Sequence, residues 1–271
     1  MLTNNKGYHH YNGGFCGFDK VNWHSYVVGE KVIMSHVSQR FSEGYPGAVM
    51  AQITFEVACD NSIKIEMKCT TTEPTVVNIS NSQFFNLAGH HSGPDSMLDH
   101  IFTINGDKYT VTDEEGIVTG EKKVVGGTAF DFRVPRILKT MINKIPQGGY
   151  NLNYCITRGV EQDLGFHARA VHPMSGRVLE VYSNHPGMQF YTGNLLPDPN
   201  KIIEGKVSYG YVPLAGKKGT FYVKHGLFCL MPQNYPDAVN NRNFPNSVLN
   251  PGEVYVHKIQ YKFGILLGKY V

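Results

Sequence analysis

The chain is a succession of short alternating runs separated by glycine and proline, and this punctuation limits what it can fold into. Its 271 residues include 29 glycines and 14 prolines. The runs alternate between apolar and polar positions, are rich in strand-forming residues and end at turn residues, as is typical of strands with one buried face. They are Gln52–Val57, Ser62–Lys68, Thr75–Ile79, Ile101–Ile104, Tyr154–Thr157, Arg177–Tyr182, Met188–Tyr191, Gly226–Met231 and Val254–Phe263. Many short strands predict an all-β sandwich or barrel.

Helical periodicity is confined to Val134–Ile145, where Leu138, Met141 and Ile142 fall on one stripe. No internal repeat, low-complexity tract or linker divides the sequence, so we expect a single domain over residues 1–271. The weakly patterned stretch Leu196–Gly219 is interpreted as an extended surface excursion.

The composition argues against several classes of function. The net charge is only +3, and no basic run or nucleic-acid-binding signature is present, so we expect no nucleic-acid partner. No apolar stretch reaches membrane-spanning length and the first residues are polar, so we expect neither a membrane partner nor a signal peptide. Five cysteines without close pairs indicate free thiols and a cytoplasmic protein.

The twelve histidines do not form a recognisable metal-binding pattern. Neither an H-E-x-x-H motif nor a Cys/His spacing is present. The adjacent pairs His9-His10 and His90-His91 would point to opposite faces of a strand and could not readily share an ion. We therefore expect no metal and interpret the histidines as surface or hydrogen-bonded core residues.

Seven stretches, in order, resemble the galactose mutarotase (aldose 1-epimerase) family. They are NGGFCGFDKVNW (Asn12–Trp23), EGYPG (Glu43–Gly47), VNISNSQFFNLAG (Val77–Gly89), GGTAFDFR (Gly126–Arg133), SGRVLEVYSNHPGMQFYTGN (Ser175–Asn194), QNYPDAVNNRNFP (Gln233–Pro245) and PGEVY (Pro251–Tyr255). The resemblance implies a large twisted antiparallel β-sandwich with a sugar cleft on its concave face. It also implies interconversion of the α and β anomers of an aldohexose such as galactose or glucose, without a cofactor.

This reaction opens the sugar ring, so a base must take the proton of the C1 hydroxyl and an acid must protonate the ring oxygen. The resemblance assigns the base to Glu253, in the Pro-Gly-Glu turn, and gives Gln189 the role of orienting the site. The competing interpretation of Glu253 is an exposed turn carboxylate.

Three further positions depart from the family's pattern. Asn12 and Ser82 stand where the family has histidines, and Asn151 stands where it has an aspartate that grips sugar hydroxyls. All three can form hydrogen bonds with a sugar, but none titrates near neutral pH. Because a lost general acid costs a factor of about 10²–10⁴ in rate, we expect sugar binding with weak or lost catalysis.

Two alternatives remain open at this point. His10 lies two residues before Asn12 and would share its strand face, about 6–7 Å away, so it could replace the acid in an active epimerase. Alternatively, the fold serves as a non-catalytic interaction module.

The chain begins after the opening strands and the arginine that the resemblance would include. We expect the sheet edge left exposed to be covered by upstream residues of a longer protein, by a second copy, by another protein or by Leu196–Gly219. Among the aromatic residues, Trp23 and Phe85 are predicted to lie in the core.

Overall fold

The computed structural model describes residues 2–145, 148–159, 163–198, 202–203, 206–207 and 214–266. Its strands are β1 (His24–Val28), β2 (Lys31–Ser38), β3 (Val49–Ala58), β4 (Ser62–Thr71), β5 (Thr75–Val76), β6 (Phe84–Phe85), β7 (Ile101–Ile104), β8 (Gly106–Thr112), β9 (Val118–Val124), β10 (Arg136–Ile137), β11 (Asn151–Ile156), β12 (Gly165–Val171), β13 (Arg177–Ser183), β14 (Gly187–Tyr191), β15 (Ile202–Ile203), β16 (Lys206–Val207), β17 (Leu214–Ala215), β18 (Phe221–Tyr222), β19 (Phe228–Gln233), β20 (Val248–Leu249) and β21 (Tyr255–Ile265). The helices are α1 (Gly93–Leu98) and α2 (Leu138–Ile142), with 3₁₀ turns at Ser42–Gly44 and Lys217–Gly219.

Two antiparallel sheets dominate the described residues. The larger has nine strands in the order β1-β2-β3-β4-β21-β13-β12-β7-β10, and the smaller has six in the order β6-β19-β14-β11-β8-β9. The register is continuous where the alternating runs are longest: β3 and β4 pair from Val49 opposite Thr71 to Ala58 opposite Ser62. The predicted all-β sandwich is confirmed.

The core lies between the two sheets and is rich in aromatic rings. Phe102 of β7 and Tyr261 of β21 meet Tyr154, Phe190 and Phe228 of the smaller sheet, and all five are fully buried. Burial of each such ring contributes roughly 1.5–3 kcal/mol relative to exposure. Side chains alternate between the two faces of a strand. On the smaller sheet, the residues that alternate with Phe190 and the other core-facing residues therefore point outward, away from this core.

The predicted helix Val134–Ile145 is too long. Only Leu138–Ile142 is helical, and Arg136–Ile137 instead pairs with β7. Pro135 explains part of the difference, because a proline biases the preceding residue toward extended backbone. The short helix Gly93–Leu98 was missed, although Pro94 in its first turn is a recognised start signal.

Several strand predictions were also incomplete. The predicted strand Thr75–Ile79 is reduced to Thr75–Val76, which pairs with β20. Strands β1, β2, β8, β9 and β12 were not recognised. In β2 every position is exposed or half-buried, because the strand lies near the end of its sheet, so the sequence KVIMSHVS carries no clear inward face.

The predicted excursion Leu196–Gly219 falls partly outside the described residues, which leave out 199–201, 204–205 and 208–213. Within it, β15 pairs with β16, and β17 pairs with β18 just beyond it. The prediction that this stretch covers a sheet edge rests on residues that lie outside the described ranges.

The two aromatic residues assigned to the core do pack there. Trp23 lies edge-on to Phe18 and packs against the cluster of Val49, Ala51 and Cys69. Phe85 packs against the main core beside Phe228.

Strand β1 forms one end of the larger sheet, and all five of its residues are exposed. Tyr26, Val27 and Val28 are 50%, 70% and 55% exposed.

Among the described residues, no helix is both long and apolar enough to cross a membrane.

Candidate functional site

The outer face of the smaller sheet presents a set of side-chain amides. Asn153 of β11 lies opposite Gln189 of β14, and Asn151 lies opposite Tyr191. On the other side of β14, Gly187 lies opposite Gln233 of β19. Alternation places these residues on the face that points away from the aromatic core.

The amides are joined in a directional chain of hydrogen bonds. Gln233 donates through Nε2 to Gln189 Oε1 at 3.5 Å and to Asn153 Oδ1 at 3.3 Å. Gln189 in turn donates through Nε2 to Asn151 Oδ1 at 2.8 Å. Asn153 is 2% exposed and Gln233 is 8% exposed, whereas Asn151 is exposed. The chain of hydrogen bonds therefore runs from the buried residues Asn153 and Gln233 to the exposed residue Asn151.

Gly187 provides the space in which this network fits. A Cβ at this position would lie 2.6 Å from Asn153 Oδ1 and 2.9 Å from Tyr235 Cδ1. Both distances are shorter than any ordinary carbon contact, so the glycine of Pro186-Gly187-Met188 permits the close approach of the amide.

An aromatic pair borders the amides. The rings of Tyr191 and Phe84 meet at 70° with centroids 6.4 Å apart, and Phe84 is 54% exposed. The Tyr191 hydroxyl accepts a hydrogen bond from Leu195 N at 2.9 Å. Burial raises the pKa of Tyr191, so the phenol keeps its proton, and the pair offers an apolar surface suited to one face of a sugar ring.

Ser82 lies next to this surface. Its hydroxyl donates to the thioether of Met231, and Met231 lies opposite Gln189 in the register of β14 and β19. Upstream, Asn78 and Asn234 exchange two hydrogen bonds of 3.2 and 2.9 Å. These bonds fix the segment that carries Ser82 to the end of β19, so the structure brings Ser82, Gln189 and Asn151 to one surface.

Glu253 occupies an exposed turn and is bonded back onto it. Asn250 donates to Glu253 Oε2 through its backbone N at 3.0 Å and through Nδ2 at 3.2 Å. Two residues later, the Tyr255 hydroxyl donates to the carbonyl of Ile79 at 3.0 Å, which ties the turn to the segment that carries Ser82. Among the described residues, no hydrogen bond joins Glu253 to Gln189 or Asn151. The contacts of Glu253 are therefore those of an exposed turn carboxylate.

Asn12 lies in a tight loop whose centre is Glu43. The backbone is left-handed at Asn12, with φ of 48°, and Glu43 accepts hydrogen bonds from Phe15 N at 3.1 Å and Cys16 N at 2.9 Å. Bonds from the Thr3 hydroxyl and from Cys16 N lower the pKa of Glu43. A Cβ on Gly14 would lie 2.2 Å from Glu43 Oε2, so the loop requires glycine there.

His10 does not share a strand face with Asn12, because Asn12 is in this turn. That premise of the sequence interpretation is wrong. His10 Nδ1 lies 2.6 Å from the carbonyl of Thr3, and Nε2 lies 2.8 Å from the hydroxyl of Tyr45. Nδ1–H donates to the carbonyl, Nε2 accepts from the hydroxyl, and both ring nitrogens are therefore engaged within the N-terminal segment.

The N-terminal segment nevertheless reaches the edge of the smaller sheet. His9 Nε2 is hydrogen-bonded to Glu115 Oε2, in the turn between β8 and β9. Tyr11 is close enough to Tyr191 to contribute, after burial, to the raised pKa of that residue. The loop that contains Asn12 thus lies in a segment that reaches the edge of the smaller sheet.

Comparison with known proteins identifies the family. Residues 1–262 match the family model described as aldose 1-epimerase. The chain belongs to the aldose 1-epimerase family. It is 40% identical over 264 residues to the galactose mutarotase of Homo sapiens, which covers 97% of this chain and 72% of that protein. It is 28% identical over 268 residues to the aldose 1-epimerase of Haemophilus influenzae, with 97% and 73% covered.

Solved structures agree on the fold. An aldose epimerase homologue from C. elegans superposes with a TM-score of 0.84 at 24% identity, covering 98% of this chain and 76% of the other. A galactose 1-epimerase from Lactobacillus acidophilus gives 0.76 at 21% identity, with 98% and 73% covered. The predicted family and its galactose mutarotase-like sandwich are therefore confirmed.

The structure adds residues that the sequence interpretation did not single out for this family member. Asn153 could have been found, because in the run NLNYCI it has the same parity as Asn151 and must share its face. Gln233 and Glu43 lie within recognised stretches, but their contacts with Gln189 and with the Asn12 loop are distant in sequence. No local pattern announces such contacts.

Proposed function

We propose that this aldose 1-epimerase family member binds an aldohexose on the amide face of the six-stranded sheet and interconverts its anomers weakly or not at all. The observation that carries the proposal is the hydrogen bond from Gln189 to Asn151. This bond orients polar groups that can form hydrogen bonds with a sugar, while the residue at its exposed end is a neutral amide.

Binding is supported by the chemistry of this face. Amides both donate and accept hydrogen bonds, as a sugar hydroxyl requires. The Tyr191 and Phe84 rings lie at the border of the amides and can cover an apolar face of the sugar. Ser82 adds a hydroxyl beside Met231.

Weak catalysis is supported by the shortage of side chains that can donate a proton to the sugar. Asn12, Ser82 and Asn151 cannot deliver a proton at neutral pH. His10 has partners at both nitrogens, and Glu253 is bonded to its own turn. A site that lacks its general acid loses a factor of about 10²–10⁴ in rate, and a base that must first leave its partners adds to that cost.

Polarimetry of freshly dissolved α-galactose and α-glucose tests the catalytic part. We expect the rate of anomerisation with protein to stay close to the rate in buffer, while calorimetry detects binding of the sugar. Acceleration that disappears in Glu253→Gln, but survives in the exposed control Glu30→Gln, would overturn the proposal. Loss of that acceleration in His10→Ala would instead identify His10 as the acid of an active epimerase.

The exposed edge strand supports a second candidate, in which the fold serves as an interaction module. All five residues of β1 are exposed, and an unpaired edge is a template for pairing with another strand. We propose that two copies pair antiparallel along β1, an arrangement that a two-fold axis permits. Light scattering should then give a dimer that Val27→Glu separates, and a monomer at all concentrations would contradict it.

We also propose a cytoplasmic location. Cys16, Cys59, Cys69, Cys155 and Cys229 are all free thiols. Free thiols persist in a reducing compartment. Labelling of thiols in freshly lysed cells should find all five reduced.

A further inference from the structure

The hydrogen-bond chain on the amide face ends in a donor. Gln233 donates to Gln189, and Gln189 donates to Asn151 Oδ1, so the carbonyl oxygens of Gln189 and Asn151 are both already used as acceptors. Among the hydrogen bonds of the described residues, Asn151 Nδ2 has no acceptor, and Asn151 is exposed. Hydrogen bonds in a chain polarise one another in the same direction, which strengthens the N–H groups at the exposed end.

A positive charge lies at the same end of β11. Gly148 and Gly149 precede Asn151, and Lys224 Nζ lies 3.9 Å from where a Cβ on Gly148 would be. The neighbouring ring of His225 approaches Gly149 in the same way and donates through Nδ1 to the carbonyl of Thr192 at 2.9 Å. Lys224 is half-buried, and within the described part of the chain no carboxylate forms an ion pair with it.

Carboxylates are absent from the amide row itself in the described residues. Within the described ranges, the side chains of Asn151, Gln189 and Gln233 form hydrogen bonds only with one another and with Asn153. Glu115 is hydrogen-bonded to His9, and Glu253 is held by Asn250. An anionic ligand at Asn151 would therefore meet an N–H donor, with the Lys224 ammonium at the same end of β11. An aspartate, which the resemblance places at this position, would repel such a ligand.

We propose that the preferred ligand of this cleft is a hexuronic acid, whose carboxylate is received by Asn151 Nδ2 and Lys224 Nζ. The inference rests on the proposed sugar-binding function and names the class of sugar. A carboxylate only accepts hydrogen bonds, which matches the N–H donor that Asn151 Nδ2 leaves without an acceptor among the described residues. Bonds to an ionised acceptor are shorter and stronger than neutral ones, so the match selects an acidic sugar over a neutral hexose.

Titration calorimetry of the full chain at low salt tests this with three ligands of similar shape: D-galacturonate, its neutral methyl ester and D-galactose. We expect galacturonate to bind at least tenfold more tightly than either neutral ligand. Asn151→Asp and Lys224→Gln should each reduce that preference about tenfold. Lys262→Gln removes an exposed lysine from the opposite sheet and should leave the preference intact.

The outcomes separate this inference from the function on which it rests. If galactose binds as tightly as galacturonate, the inference is overturned while the sugar cleft stands. If none of the three ligands binds, the proposed function fails as well. If galacturonate is preferred but Asn151→Asp and Lys224→Gln, folded by circular dichroism, retain the preference, the assignment to these two groups is overturned.

Discussion

At the scale of single residues, the candidate site has amides and hydroxyls where proton transfer would need titratable groups. Asn151 reproduces the shape of an aspartate and keeps a 2.8 Å hydrogen bond with Gln189, but it carries no charge. Ser82 can bond to a sugar without exchanging protons near neutral pH. The proposed sugar binding and the proposed loss of catalysis are therefore separable, because these side chains can form hydrogen bonds but cannot transfer protons near neutral pH.

The first prediction restores an acid at one of these positions. Ser82→His places an imidazole beside Met231, opposite Gln189, and we expect anomerisation to accelerate by about 10²-fold, near the lower limit for a general acid. The acceleration should depend on pH around neutrality. Ser82→Asn is the matched control, because it adds a polar side chain that does not titrate. Equal rates for the two variants in polarimetry would show that missing acidity is not what limits this site.

At the scale of elements, the site depends on how three strands are aligned. β11, β14 and β19 present Asn153, Gln189 and Gln233 on one face because their registers place alternate residues side by side. Gly187 allows β14 to pass Asn153 and Tyr235 closely. The amide network is therefore a property of the aligned strands as much as of the amides.

The second prediction concerns this close passage. Gly187→Ala would put a methyl group 2.6 Å from Asn153 Oδ1, so we expect it to lower the free energy of unfolding by roughly 1–3 kcal/mol, the usual cost of overpacking. Sugar binding should weaken as well. Urea denaturation and calorimetry measure the two effects.

Gly165→Ala on β12 is the matched control for this change. Its added methyl would find no atom closer than Ser183 O at 3.8 Å, so stability should stay within about 1 kcal/mol of the parent or rise slightly. Equal loss of stability in both variants would mean that general strand effects, and not the contact with Asn153, dominate at Gly187.

The elements also show what the sequence could predict. Alternation located strands such as β3, β4 and β21, because burial of one face imposes period two on the residues. Periodicity did not predict where the helix begins and ends. The stripe of Leu138, Met141 and Ile142 is buried in a helix of about one turn, and the residues before it pair with β7. Tertiary pairing overrode the local pattern there.

The parts of the site that sequence analysis did not predict are contacts between distant segments. Glu43 organises the Asn12 loop across 27 and 28 residues of chain, and Gln233 reaches Asn153 across 80. His10 was placed on a strand by its spacing from Asn12, but the left-handed backbone at Asn12 turns the chain away. Such outcomes depend on which surfaces meet, and period and spacing do not encode that.

At the scale of the whole molecule, the sandwich encloses neutral histidines. The rings of His185 and His257 are tilted by 35° with centroids 3.7 Å apart, and His167 Nε2 lies 3.0 Å from the carbonyl of His185. Burial lowers the pKa of His167 and of His257 to about 4, and burial with the neighbouring His257 lowers that of His185 to about 2. The folded protein therefore resists protonation where an unfolded histidine, with a pKa of about 6.5, accepts it.

The third prediction follows from this difference. Because the unfolded chain binds protons first, the free energy of unfolding should be greatest above about pH 6.5 and should fall as the pH drops toward 4. Each buried histidine contributes a slope of up to about 1.4 kcal/mol per pH unit. Urea denaturation between pH 7.5 and 5.5 samples this window before most carboxylates titrate.

A variant of His257 isolates one contribution to that slope. His257 donates through Nδ1 to the carbonyl of Ile79 at 2.8 Å and accepts at Nε2 from Ser183 Oγ at 3.2 Å. His257→Gln keeps a donor and an acceptor but does not titrate, so the slope should decrease by about 1 kcal/mol per pH unit at pH 6, whatever its effect on stability at pH 7.5. His24→Gln, on exposed β1, should leave the slope unchanged. An undiminished slope in His257→Gln would mean that the acid sensitivity of the fold arises outside the His185–His257 pair.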